Sequence, residues 1–191
     1  MVQQILAWLA AGVVTVAQLQ AWWAAHQPAT FELTSPDMIA HAGQPCLQQL
    51  PPEAMCLRDG GDNLNPELVW SGVPAGTVQL ALLMDDMDYA PQGNPYDHWT
   101  VVGLDPTTTG IERGASGTQP TGSLPAGSAE VAPYLGSCSA GLNTYRWRLI
   151  ALDTAVPQLP QSQTQFETWA QGHTLATAEM CHCPEGGCHP Y

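Results

Sequence analysis

Asp85, Asp86 and Asp88 crowd three carboxylates into four positions, and the pair His98-Trp99 follows a short way downstream. Like charges this close persist only when they are solvated, bound to a cation, or hydrogen-bonded to a positively charged or donor-rich neighbour. His98 is the candidate neighbour, because imidazole pairs with a carboxylate and, once protonated, donates to an anion. The competing reading is a strand-end turn with solvated acids, since Asp is common in turns. Ser137-Cys138-Ser139 offers hydroxyl and thiol groups that a histidine base would activate, but no spacing ties them to His98. No hydrolase pattern results, and the chain reads as non-enzymatic, with no cofactor.

A second concentration of reactive side chains lies at the carboxyl end, where Cys181, His182, Cys183, Cys188 and His189 fall within nine residues. Soft metals favour such a set, but zinc sites use Cys-x₂₋₄-Cys spacing, which Cys181-x-Cys183 does not match. Metal binding by Cys181, Cys183, Cys188 and His189 is therefore the alternative. The preferred reading is disulfides, with Cys181, Cys183 and Cys188 pairing among themselves or with Cys46 or Cys56.

The elements that position these groups are read from the rest of the chain. At 191 residues the sequence suits one domain. Four arginines and no lysine face seventeen acids, for a net charge of −13, which repels nucleic acid and anionic membrane surfaces. Seventeen prolines and eighteen glycines without a period favour short strands joined by turns. Ile5 to Ala17 is an apolar run of signal-peptide length with a small-residue cleavage site, but no basic residue precedes it. Export to the periplasm or medium is the expectation. The alternatives are a membrane anchor, or an extra helix on a cytoplasmic protein in which Trp8, Trp22 and Trp23 cover an apolar face.

Glu67 to Ser71, Val78 to Met84 and His98 to Leu104 read as strands, with Val78 to Met84 central. Tyr145 to Leu152 alternates, placing Tyr145, Trp147 and Leu149 on one face and Arg146 and Arg148 on the other. Residues 110–141 read as a long loop, of the kind that binds partners or moves. Thr164 to Met180 starts as a helix with Phe166, Trp169 and Ala170 on one side, and Gly172 breaks it, leaving Thr174 to Met180 as a further strand or turn. His26, His41 and His173 read as surface or packing residues.

Several of these segments, in order, resemble one family. NPELVWSGVPAGT at residues 65–77, LALLMDDMD at 80–88, Asp97-His98-Trp99, FELTSP at 31–36, LIALDT at 149–154 and GHTLATAE at 172–179 together resemble the phosphatidylethanolamine-binding protein family, in its bacterial Raf-kinase-inhibitor-like branch. The resemblance covers residues 31–180, leaving 1–30 as an apolar leader and 181–191 as a Cys/His-rich tail. It implies a mainly β fold, an antiparallel β-sandwich with a few peripheral helices, and one small anion pocket. Carried over by motif, Asp86 and Asp88 match the family's paired acids, His98 its pocket histidine, Gly136 to Cys138 its loop and Tyr145 its tyrosine. Asn143 stands where relatives carry a pocket histidine, as either a pocket donor or a turn residue.

The departures are Met87 between the acids, an extra Tyr89, Ser139-Ala140 for a proline pair, and Asn143-Thr144 for a His-Arg pair. The implied ligand is a small anionic or zwitterionic group, phosphate-, acetate- or phosphoethanolamine-like. The resemblance also implies that Asp86 holds the His98 tautomer and raises its pKa, and that Cys138 lines the pocket as a small buried residue. The alternative function is a protein-interaction module that inhibits a kinase or protease through the pocket rim and the 110–141 loop.

Overall fold

The computed structural model describes residues 15–25, 29–40, 48–91, 93–138 and 143–183. Helix α1 (Val16–Ala25) comes first, then strands β1 (Glu32–Thr34), β2 (Ile39–Ala40), β3 (Gln48–Gln49), β4 (Leu68–Ser71), β5 (Gln79–Asp86), β6 (Tyr96–Leu104), β7 (Gly110–Ile111), β8 (Ala129–Ala132) and β9 (Tyr145–Leu152). Helix α2 (Gln163–Ala170) and strand β10 (Thr174–His182) complete the order. Five strands form one sheet in the order β10-β9-β5-β6-β8, three form a second in the order β1-β4-β7, and β2 pairs with β3. Every pairing between these strands is antiparallel. The mainly β sandwich with peripheral helices is thus the observed fold, with β5 at the centre of the large sheet and β9 beside it.

Strand β5 explains why the large sheet is covered on both sides. Its residues Leu80 to Met84 are all apolar and fully buried, so neither face of the pleat is left to water. Leu80, Leu82 and Met84 enter the core between the two sheets, with Leu33, Leu68, Trp70, Ile111, Trp99 and Trp147. The alternate residues Ala81 and Leu83 pack with Val102, Ile150, Leu152, Phe166 and Ala170 beneath α2. That helix starts at Ser162, whose hydroxyl accepts from the Gln165 N–H at 3.2 Å, and its Phe166 and Ala170 stand one turn apart on the buried side. The sequence after Gly172 forms the strand β10 and extends past residue 180.

The alternation of β9 follows the sequence expectation, and the structure supplies its reason. Tyr145, Trp147 and Leu149 enter the sandwich core, while Arg146 and Arg148 turn toward α2. There both guanidinium groups meet Asp85, at 3.0 and 2.6 Å, and Arg148 also reaches Glu167 at 2.6 Å. Gln163 at the start of α2 donates to the other Asp85 oxygen. Asp85 is fully buried, and a buried carboxylate requires this many donors.

One expectation is corrected. Residues 110–141 are not one loop, because they contribute β7 and β8, and Glu130 on β8 accepts the Trp99 indole N–H at 2.7 Å. Trp22 and Trp23 on helix α1 are 40% and 65% exposed. Helix α1 is closed by a reciprocal pair in which Gln18 N–H donates to Thr15 Oγ1 and Thr15 N–H to Gln18 Oε1. No helix among the described residues is long and apolar enough to cross a membrane. Most of the apolar leader, Trp8 included, lies outside the described residues.

Replacing Asp85 by Ala would leave two arginines beneath α2 without their shared carboxylate. The expected loss is about 3 kcal/mol of unfolding free energy in urea titrations, and a change under 1 kcal/mol would count against this network as the clamp for α2.

Candidate functional site

The sandwich-side end of β5 carries Asp86, and β6 brings His98 beside it through an irregularity in the ladder. Met84 pairs with Trp99 and Asp85 with Asp97, so β6 holds one extra residue there. That residue is His98. Tyr145 and Trp147 share one face of β9, and the rings of His98 and Trp99 meet them edge-on at 5.1 and 6.3 Å. Two consecutive residues can point to one face only where a bulge interrupts the alternation. The bulge therefore sends Trp99 into the core and His98 to its rim.

The imidazole is fixed by the backbone. His98 Nδ1 lies 2.6 Å from the Leu135 carbonyl, which can only accept, so Nδ1 carries the proton and Nε2 is the atom left for a ligand. This corrects the expectation that Asp86 sets the tautomer. Asp86 instead accepts from the N–H groups of Asp88 and Tyr89, at 3.0 and 3.1 Å, and from the Asn143 amide at 2.7 Å. Asp88, which is exposed, accepts from the Thr144 N–H at 2.7 Å. The two acids thus tie the turn after β5 to the chain entering β9, with the Asn143 amide as one of the links. Asp85, the third acid of the cluster, belongs to the opposite face of the sheet.

Burial decides the charge of the ring. His98 is 5% exposed, and desolvation lowers its pKa despite the opposing effects of the Leu135 hydrogen bond, Asp86 and Asp85. The expected upward shift is therefore reversed. Tyr145 stacks on His182 at 4.7 Å, and the Trp147 indole N–H donates to His182 Nδ1 at 2.8 Å. His182 is held neutral by full burial and by the neighbouring His98. Tyr89, Tyr96 and Leu135 form a partly exposed rim around this end of the sheet, and the Tyr96 ring meets His98 at 5.1 Å.

The segment that supplies the Leu135 carbonyl is pinned from several sides. Tyr134 donates its hydroxyl to the Ala54 carbonyl at 2.7 Å, the Gly136 N–H donates to Asn63 Oδ1 at 2.7 Å, and Cys56 is disulfide-bonded to Cys138. Gly136 serves by its size, because a β-carbon there would lie 2.3 Å from the Ala54 carbonyl oxygen. Cys138 is thus not a free pocket thiol, and its sulfur cannot act as a nucleophile while bonded. The Ser137 hydroxyl faces the Met55 sulfur at 3.4 Å.

Asn63, at φ 55°, and Leu135 are the residues that sequence reading missed. The signal for Asn63 was present in Gly60-Gly61-Asp62-Asn63, a turn composition that admits a left-handed Asn. The Leu135 contribution is a carbonyl, to which side-chain identity gives no clue.

Cys181 and Cys183 are also disulfide-bonded, as the preferred reading of the tail expected, so neither is a metal ligand. Among the described residues no group of three His, Cys, Asp or Glu side chains could hold a metal, and no cysteine is free. Cys46, Cys188, His189, Ser139 and Ala140 lie outside the described residues.

A family model described as phosphatidylethanolamine-binding protein matches residues 45–182. A protein of Methanothermobacter thermautotrophicus, called UPF0098 protein, is 34% identical over 128 residues, covering 63% of this chain and 82% of that one. A putative lipoprotein of Mycobacterium tuberculosis, LppC, is 37% identical over 113 residues, and the match spans 54% of this chain and half of that protein. Among solved structures, Escherichia coli YbcL, described as a new member of the mammalian PEBP family, superposes with a TM-score of 0.68 at 30% identity, over 83% of this chain and all of that one.

Both His98 and His182 bind protons less readily folded than unfolded, so stability must fall as pH drops below about 6.5, with each contributing up to about 1.4 kcal/mol per pH unit. Asp97, pushed up to about 6, acts in the opposite direction between its unfolded and folded values. Urea denaturation of the wild type from pH 7 to 5 is expected to show a net loss that His182→Gln reduces. An unchanged slope would contradict neutral burial of His182. Removing both partners of the disulfide, as Cys56→Ser with Cys138→Ser, is expected to lower stability by about 4 kcal/mol, given the long loop it closes. The same measurement checks it.

Proposed function

The chain belongs to the phosphatidylethanolamine-binding protein family, and from that premise we propose that it is a non-enzymatic module holding a small anionic or zwitterionic group at His98. The family's fold serves ligand binding or protein interaction in general. The observation that favours the first here is the state of the imidazole: Nδ1 is committed to the Leu135 carbonyl, which leaves Nε2 as the ring nitrogen available to a ligand.

The low pKa of His98 defines what the ring can hold. Near neutral pH the unprotonated Nε2 accepts a hydrogen bond, so it suits a ligand that brings its own proton, such as a phosphate monoanion, a protonated carboxylic acid or an ammonium group. In acid the ring gains a proton and donates to an anion. Asp86, already supplied with three donors, discourages a dianion on electrostatic grounds, and Asn143 offers no positive charge in compensation. A weakly held monoanion or zwitterion fits this set better than a tightly held phosphate dianion.

Location is part of the same reading. Disulfides at Cys56–Cys138 and at Cys181 and Cys183 belong to an oxidising compartment, and a relative named as a lipoprotein supports export to the cell envelope. The leader that would direct it falls within residues 1–30.

Calorimetry with phosphate, acetate and phosphoethanolamine at pH 5.5 and 7.5 tests the pocket. Binding is expected to be stronger at the lower pH, because a proton is taken up on the ring or kept on the ligand. His98→Ala is expected to weaken it by about tenfold or more and to flatten the pH dependence. Equal affinities in the variant would remove His98 from the site and favour the interaction-module reading.

A further inference from the structure

A cavity on the far side of the same strand end is assigned no role by the site around His98. It measures about 330 Å³ and is lined by Pro91, Asn94, Pro95, Tyr96, Asp97 and, from the first turn of α2, Thr164. This lies at the lower end of small-ligand pocket sizes. We propose that this cavity binds a small organic ammonium ion, paired with the carboxylate of Asp97.

The charge distribution of the whole molecule points there. The chain has four arginines and no lysine, and every arginine is committed: Arg58 to Asp59, Arg113 to Asp37 and Glu53, Arg146 to Asp85, and Arg148 to Asp85 and Glu167. The fully buried Asp85 takes two of them, and Asp86 has three donors. Among the described residues Asp97 receives only the Thr100 hydroxyl at 2.8 Å and the Trp99 backbone N–H. No permanently cationic side chain remains for it. Burial and the nearby carboxylates Asp85 on β5 and Glu167 on α2 push it up to about 6, while Arg146 and Arg148 on β9 are engaged by those same two acids. At neutral pH Asp97 is therefore an ionised, partly desolvated carboxylate lacking a counter-charge, a state that a cation from solution relieves.

The lining selects the kind of cation. One carboxylate, one amide and one hydroxyl are too few oxygen ligands for calcium. Tyr96 and two prolines are among the lining residues, and aromatic and apolar neighbours of this kind suit an alkylammonium group. Asp97, Asn94 and Thr164 line the one cavity, and all three are residue types whose oxygens accept from N–H groups. A net charge of −13 raises the local concentration of any cation.

The probe is tert-butylammonium, with tert-butanol as its uncharged counterpart, titrated at pH 7.5 and low salt and followed by amide NMR. Saturable shifts confined to Tyr96, Asp97, Asn94 and Thr164 are expected, with affinity reduced about tenfold or more for tert-butanol and for Asp97→Asn. His98→Ala is expected to leave ammonium binding unchanged and Asp97→Asn to leave phosphate binding unchanged, so failure of the His98 site and failure of this one are separable. In the wild type, saturation should lower the Asp97 titration midpoint seen by carboxyl ¹³C NMR, a readout that needs no variant. Non-saturable shifts, equal binding of tert-butanol, an unmoved midpoint, or saturable calcium binding that tert-butylammonium cannot displace would each overturn the proposal.

Discussion

A strand buried on both faces cannot end in two adjacent carboxylates unless each face supplies its own partners. Strand β5 ends this way, and alternation sends Asp85 beneath α2 and Asp86 to the end of the sandwich. The first carboxylate gathers Arg146, Arg148 and Gln163, which fixes β9 and the start of α2 against the central strand. The second gathers two backbone N–H groups and the Asn143 amide, which fixes the turn after β5 and the entry to β9. Helix docking and the geometry around His98 therefore depend on the same dipeptide, through opposite faces of one sheet.

The bulge in β6 is the second constraint. Without it, His98 and Trp99 would face opposite sides, and either the core would lose an indole or Tyr145 its imidazole neighbour. One inserted residue resolves that conflict and leaves the Leu135 carbonyl to choose the protonated nitrogen. The ring nitrogen left for a ligand is then Nε2, a basic atom with a low affinity for protons because its surroundings are dry. The protonation of His98 follows from its desolvation more than from the acid beside it.

Much of this was legible in the sequence, for reasons particular to certain segments. Tyr145 to Leu152 showed its two faces because aromatic and cationic residues alternate there without interruption, and Gly172 marked the end of α2 because no helix former follows it immediately. The family motifs identified Asp86, His98 and Tyr145 as one neighbourhood. Less could be read where backbone atoms or distant partners decide. The Leu135 carbonyl leaves no trace in side-chain chemistry, and the pairing of Cys56 with Cys138 joins segments whose proximity only the fold creates. The sign of the His98 shift was misjudged for a related reason: a sequence shows which charges are near a group, but not how much water has been removed around it.

The order of strands in the large sheet also bears on how the chain comes together during synthesis. Strand β5 pairs with β6 soon after both have formed, but its other edge waits for β9, which lies beyond β7, β8 and the stretch crossing to Cys138. Until then a run of five apolar residues presents an open edge, the arrangement most prone to pairing with another molecule. Asp85 and Asp86 close that run, so two copies aligned side by side would bring carboxylates together and repel. The acids that later hold the finished sheet in place thus also act earlier, as gatekeepers of a nascent chain that has not yet made its last strand.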